Sequence, residues 1–412
     1  MKALHTLAAE PAKPAGTHHL ALTIGLCFLV ALMEGLDLQA AGIAAQGMAA
    51  AFTLDKLHMG WVFSAGILGL LPGAFVGGWL ADRIGRKRVL MGSVALFGLF
   101  SLATAQAWDF HSLLAARLLT GVGLGAALPN LIALSSECAG ERLRGFAVSL
   151  MYCGVPLGAA LAAGIGIGIA GYAGSWKTVF IVGGVVPLLI VPLLGVFLPE
   201  SRAFEQRASQ RAAPRTGVWQ GLFRDGAASV TLLLWVSYFF TLMVVYILIN
   251  WLPSLLVGQG FSPAQAAWVM FALQIGAAVG TLVLGALAER LPAWALSLLI
   301  YTGILAALAA LGLAGAFTSM LLAGAVAGFF ATGGQGVLYA LAPPFYRTDV
   351  RATGVGSALA VGRFGAMSGP LVAGQVLALG GGTVGVMLAS APGIVVAALA
   401  MFCLSARARR ND

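Results

Sequence analysis

Charge is what this chain has least of. Only 9% of its 412 residues are Asp, Glu, Lys or Arg, where a soluble protein of this length carries about 25%. With 60% hydrophobic residues, it cannot fold around an ordinary aqueous core and needs lipid as its solvent. Cysteine is scarce too: Cys27, Cys138, Cys153 and Cys403 are scattered through or beside apolar runs. They have no metal-ligand spacing, and they read as buried thiols rather than as a disulfide framework. The histidines (His5, His18, His19, His58 and His111) lie in the N-terminal tail or at the ends of apolar runs, which argues against a histidine proton relay. Enzyme chemistry is excluded on similar grounds, because no nucleophile–base pair, metal-ligand cluster or cofactor loop is present. The run GVGLG, Gly121 to Gly125, mimics a nucleotide loop but sits inside an apolar run, where small residues serve helix packing. No cofactor is expected.

What is present is apolar length. Runs able to cross a ~30 Å hydrocarbon core occupy 20–47, 59–80, 89–108, 112–136, 145–171, 178–198, 228–257, 264–288, 293–314, 317–341, 352–377 and 382–405. The expected fold is therefore an all-α membrane protein of twelve transmembrane helices. Gly is abundant, at 56 residues, as suits helices that approach closely. The one long polar connection, 200–226, divides a six-helix bundle at 20–199 from a second at 227–405, with tails at 1–19 and 406–412. The net charge of +9 raises the question of nucleic acid, but its distribution answers it. Of 23 Lys and Arg, Lys56 and Lys177 fall in loops on one side and Arg117 and Arg363 within spans; the other nineteen share the opposite side. That asymmetry is the positive-inside rule and predicts both termini in the cytoplasm. The polar residues 1–19 lead directly into a full span, unlike a cleavable signal.

The two halves repeat at a fixed offset. GGWLADRIG from Gly77 has a faded copy in LGALAERLP from Leu284, with Gly78, Asp82 and Arg83 opposite Gly285, Glu289 and Arg290, each 207 apart. Arg144, Val148 and Gly158 match Arg351, Val355 and Gly365 at the same offset. One offset at two separate places indicates a tandem duplication. The loop GGWLADRIGRKRV, Gly77 to Val89, resembles the cytoplasmic signature of the major facilitator superfamily nearly letter for letter. That resemblance implies two six-helix bundles related as parallel repeats. It also implies conformational or gating roles for Gly78, Asp82, Arg83, Gly85, Arg86 and Arg144, with Glu289, Arg290 and Arg351 as second-half counterparts.

Within the superfamily, MEGLDLQAAGIAA (Met33 to Ala45), TGVGLGAALPNLIALSSE (Thr120 to Glu137) and RATGVGSALAVGRFGAMSGPLVAG (Arg351 to Gly374) resemble the aromatic acid:proton symporters. The first acid is Glu34 here, where that family usually has Asp. The resemblance implies proton-driven uptake of a small aromatic carboxylate across a bacterial inner membrane by a monomer. The wording of MEGLDLQAAGIAA, SLMYCGVP (Ser149 to Pro156) and FATGGQGVLYALAP (Phe330 to Pro343) resembles members that carry 3-(3-hydroxyphenyl)propionate. That likeness implies this acid as cargo, with 4-hydroxybenzoate or benzoate as alternatives and a proton-driven exporter as a more distant one.

The residues support an independent argument. An acid at mid-span costs about 2.5–3.5 kcal/mol on insertion scales, and this first span holds two. Glu34 and Asp37 are three apart, about 60° around a helix, so the spacing predicts a shared face. Like charges held close in low dielectric do not both ionise readily, and a carboxyl that takes and releases a proton is what proton coupling requires. Arg363 lies about 18 Å into its span beyond Arg351, near the depth of Glu34. Its fork suits a substrate carboxylate; the alternative is a standing salt bridge to Glu34 or Asp37. The resemblance implies a substrate-binding role for Arg117 and a gating role for Glu137; the alternative for both is a packing ion pair. Tyr152, Gln274, Gln335 and Tyr339 can offer hydrogen bonds to a phenol, and each fits ordinary packing as well.

Overall fold

The turns between spans are written in capping residues. Asp55 accepts from the His58 N–H at 2.8 Å and starts one helix. Asp109 accepts from the Ser112 N–H at 2.8 Å while its own N–H donates back to Ser112 Oγ at 3.1 Å, a capping box. Ser262 and Gln265 exchange the same pair of bonds at a third turn. Each satisfies N–H groups that a helix start leaves without an internal partner. The hydrogen bonds from His58 hold the Asp55 carboxyl below the usual carboxylate range, and those from Ser112 do the same for Asp109.

The computed structural model describes residues 17–169, 176–201, 223, 227–341 and 351–408. In chain order the helices are α1 (Thr17–Phe52), α2 (Lys56–Ile84), α3 (Arg86–Ala105), α4 (Phe110–Cys138), α5 (Gly140–Tyr152), α6 (Gly154–Ile169) and α7 (Trp176–Phe197). The second half has α8 (Ala227–Gly258), α9 (Pro263–Ala288), α10 (Ala293–Leu313), α11 (Phe317–Ala327), α12 (Gly333–Leu341), α13 (Arg351–Ala378) and α14 (Gly382–Ala408), with a π-helical turn, Gly328–Thr332, joining α11 to α12. Helices α5 and α6 form one crossing broken at Cys153, and α11 to α12 form another, which makes the twelve crossings of two six-helix bundles. Among the described residues, eleven crossings are long and apolar enough to span a membrane by composition alone. The twelfth, α13, packs between α2 and α8.

Boundaries differ from the sequence reading where a local signal overrides apolarity. Helix α1 continues to Phe52, because Ala49 to Ala51 are good helix formers and the next cap is Asp55. Helix α3 stops at Ala105 because Asp109 initiates α4. Most of the expected 200–226 connection and the N-terminal tail lie outside the described residues. The outer surface is apolar: Phe75, Val196 and Leu388 are 78%, 74% and 66% exposed, which in water would mark an interaction site and in a bilayer meets acyl chains.

The duplication is visible in the packing. Gly158 lies against the Leu32 carbonyl and Gly365 against that of Phe239. Gly69 meets Leu118 as Gly276 meets Ala325, Gly73 meets Val122 as Gly280 meets Phe329, and Gly121 meets Gly66 as Gly328 meets Leu273. Every member of these pairs is offset by 207, so the same backbone-to-backbone crossings occur in both halves. A Cβ at any of them would strike a backbone carbonyl, which is why glycine stands there. Gly158→Leu and Gly365→Leu are each expected to cost about 1–3 kcal/mol or more through overpacking and to lower the thermal midpoint of the detergent-purified protein. Gly164→Leu, at a position open to space, should leave it unchanged.

The halves meet along α1–α8, α2–α13 and α6–α9. Ser64 Oγ donates to the Met367 carbonyl at 2.7 Å, the Phe63 and Trp251 rings meet edge to face at 5.1 Å, and Gly166 lies beside Ala267. These contacts lie towards the end of the molecule that carries the Asp55 and Ser262 turns. A cavity sits at mid-depth beyond them.

Candidate functional site: a cavity between the halves

Both halves wall the cavity. Glu34, Leu38 and Gln39 come from α1, Tyr152 from α5, Val155 and Pro156 from α6, Tyr246 and Ile249 from α8, Gln274 from α9, and Arg363 from α13. The π-helical turn shifts the register of its crossing and brings Thr332, then Gln335 and Gly336, to the wall, a use of π-bulges common at functional sites. About 60 Å³ is open to the centres of water molecules, room for a few of them at ~10–15 Å³ each. The wall is mainly apolar with a few converging polar groups, as small-molecule sites usually are.

Arg363, at the middle of α13, donates through Nη1 to the Tyr246 hydroxyl at 2.8 Å. One bond leaves most of the guanidinium's five donors for a ligand. Glu34 is buried, interacts electrostatically with Arg363, and has one carboxyl oxygen, Oε2, without a hydrogen-bond partner. No ion pair joins Arg363 to Glu34 or Asp37 among the described residues, so the standing salt bridge weighed for Arg363 is not formed. The cavity thus holds an acid and a cation that act on each other without being locked together.

Asp37 behaves differently, and the expectation that it shares a face with Glu34 is corrected. Its Oδ2 accepts from Arg117 Nη1 at 3.0 Å, and its Oδ1 lies 3.1 Å from Ser101 Oγ. Asp37 and Arg117 are 0% and 4% exposed, and neither lines the cavity. Sixty degrees of helix is enough for the cavity's edge to fall between two side chains three residues apart. Glu34 turns to the space between the halves, and Asp37 turns into the first bundle against α3 and α4. Arg117, read from sequence as a substrate ligand, is held by Asp37 and lies near the Phe180 ring, 5.5 Å from its centroid.

The remaining candidates divide between wall and interior. Tyr152, Gln274 and Gln335 line the cavity. Gln335 donates to the Tyr339 hydroxyl behind it, and the Tyr339 ring lies 5.6 Å from that of Tyr238. Gln274 donates to Gln39 Oε1 at 2.8 Å, across the two halves. Gln39 was not singled out from the sequence, although it is a neutral amide in an apolar run like Gln274 and Gln335.

The candidates for conformational roles gather at the opposite end. Gly85 joins α2 to α3 with φ +98°, a backbone region that favours glycine, and a Cβ there would strike the Glu200 carboxylate. Glu200 accepts from the N–H groups of Arg86 and Lys87 at 2.8 and 3.0 Å, capping the positive end of α3. Glu137 forms an ion pair with Arg86 and accepts from the Ser201 hydroxyl. Arg83 packs over the Trp79 ring, 3.8 Å from its centroid. Asp82, Glu289 and Arg290 are exposed, and Gly78 faces open space. Arg144 lies on α5 and Arg351 begins α13, with their side chains outside the described residues.

The Major Facilitator Superfamily pattern matches residues 27–342 and, in a second overlapping match, 234–412. The chain is 69% identical to the 3-(3-hydroxy-phenyl)propionate transporter of Escherichia coli strain K12, over 95% of each chain. It is 36% identical to a gallate transporter of Pseudomonas putida, over 87% of this chain and 86% of that one. The 4-hydroxybenzoate transporter PcaK of Pseudomonas aeruginosa is 35% identical, over 86% of both. Among solved structures, a D-xylose-proton symporter superposes with a TM-score of 0.79 at 17% identity, over 93% of this chain and 97% of that one. An inward-facing bacterial homologue of the lysosomal transporter Spinster superposes with a TM-score of 0.78 at 19% identity, over 95% and 98%. These structural likenesses concern the fold, and the sequence matches give the family. The chain belongs to the major facilitator superfamily.

Proposed function

We propose that the chain imports an aromatic carboxylate together with a proton across the bacterial inner membrane, and that its cargo is 3-(3-hydroxyphenyl)propionate. The observation that carries this reading is the mid-depth cavity in which Arg363, only partly engaged by Tyr246, faces Glu34. An anion entering the cavity meets a guanidinium suited to bind a carboxylate with two bonds. Tyr152, Gln274 and Gln335 supply donors and acceptors for a ring hydroxyl. The identity with the Escherichia coli transporter supports the particular cargo.

In this reading both termini are cytoplasmic, in line with the loop charges, and the described conformation is closed on the periplasmic side. One chain suffices, because its own two halves wall the site. Glu34 is the acid that exchanges protons with the cavity. Its protonated form leaves Arg363 to the substrate, and loss of the proton restores a competitor for Arg363, so the two ligands are linked through one cation. Asp37, bound to Arg117 inside the first bundle, takes part by loosening or tightening that wall.

Uptake of labelled 3-(3-hydroxyphenyl)propionate into cells expressing the chain tests the cargo. Unlabelled substrate should compete at least tenfold better than 4-hydroxybenzoate or benzoate, a difference of about 1.4 kcal/mol in binding. Stronger competition by 4-hydroxybenzoate would move the assignment to that acid.

A further inference from the structure

Helix α8 contains a built-in defect. In an α-helix each carbonyl accepts from the N–H four residues on, and Pro253 has no N–H to give to Ile249. The Ile249 carbonyl accepts instead from Gln39 Nε2 on α1, at 3.0 Å, across the divide between the two halves. Gln39 is 0% exposed, and its Oε1 accepts from Gln274 at 2.8 Å. The backbones are pressed together at the same point: a Cβ on Gly42 would strike the Ile249 carbonyl. Gly42 and Ile249 are themselves 207 apart, so α1 and α8 cross at equivalent positions of the duplicated halves. The bond is nevertheless one-sided. The equivalent of Gln39 is Tyr246, which serves Arg363.

We propose that Gln39 is a positioning residue that latches the two halves shut on the periplasmic side by satisfying the carbonyl Pro253 orphans. With the halves together, that carbonyl is part-buried at the cavity wall, pressed against Gly42, and Gln39 is its donor. With the halves apart, water reaches it. Loss of the Gln39 donor therefore penalises the closed state and not the open one. This rests on the reading of the chain as an alternating-access carrier.

The test uses a single reporter cysteine, Ala267→Cys, in a chain whose four native cysteines are replaced by serine or alanine. Ala267 is 3% exposed and lies beside Gly166 of the other half, so separation of the halves uncovers that side of it. Labelling of whole cells by a membrane-impermeant maleimide reports opening to the outside. Gln39→Leu should raise the labelling rate about fivefold or more, the factor that one unsatisfied buried polar group sets on an equilibrium. Gln39→Glu, which keeps the shape and the acceptor for Gln274 but in its ionised form cannot donate, should raise it likewise. Adding Pro253→Ala to Gln39→Leu returns an N–H to the Ile249 carbonyl and should bring labelling most of the way back to that of Pro253→Ala alone. Labelling unchanged in both Gln39 variants, or a double variant that labels as fast as Gln39→Leu, overturns the latch. Labelling needs no substrate, so a reporter that behaves as described yet takes up no aromatic acid overturns the transport reading and leaves the latch standing.

Discussion

Arg363→Ala is expected to reduce uptake of the aromatic acid by about a hundredfold or more, to background, with the protein still in the membrane at its normal level. A guanidinium bonding a carboxylate through two charge-assisted bonds supplies about 1.5–3 kcal/mol for each of them. Loss of both at a desolvated site removes the main source of affinity for an anion. Folding should survive, because Arg363 contributes one side-chain hydrogen bond, to Tyr246, and sits at a cavity rather than in close packing. Arg363→Lys should recover only a small part of uptake, since a single ammonium cannot present the planar fork. Uptake by Arg363→Ala at the parent rate would remove the binding role proposed for this residue.

The second large effect concerns stability. Asp37 and Arg117 form a buried pair, and removal of one partner leaves the other charge uncompensated, at a cost of about 3–5 kcal/mol. Asp37→Leu and Arg117→Leu should each lower the thermal midpoint of the purified protein by several degrees and reduce its level in the membrane. The double variant, with no charge left at the site, should recover most of that loss, because well-packed apolar replacement of a buried pair is often close to neutral. Transport should stay low in all three if the pair also serves the proton step. A double variant less stable than either single one would show that the pair contributes more than mutual neutralisation.

These expectations draw unequally on sequence and structure. The fold was legible because membrane spans are written locally, as apolar length, and because Asp82 and Glu289, or Gly158 and Gly365, keep one offset. The packing extends that offset to glycines that no sequence motif marks, such as Gly69 and Gly276. The site was legible only as a set of costly residues. Glu34, Asp37 and Arg363 stand out because charge inside a bilayer is expensive, but expense does not reveal direction. Helical spacing placed Glu34 and Asp37 on one shared face and could not say that the cavity ends between them, since that edge is set by α4 and α13, far away in the chain. For Gln39 the sequence carries half of a signal: a proline four residues after Ile249 frees a carbonyl. The donor that answers it comes from 210 residues away, a distance no local pattern spans.

The central claim is that one cavity couples an aromatic anion to a proton through Glu34 and Arg363. Purified protein in sealed liposomes, loaded at neutral pH and diluted into acidic medium containing labelled 3-(3-hydroxyphenyl)propionate, tests it most directly. The account predicts transient accumulation above the equilibrium level given by liposomes with the same pH step and no protein. That excess should vanish when a protonophore collapses the gradient, and should be absent from Glu34→Gln, which should still exchange internal for external substrate. Accumulation indifferent to the protonophore, or Glu34→Gln accumulating as the parent does, would contradict it.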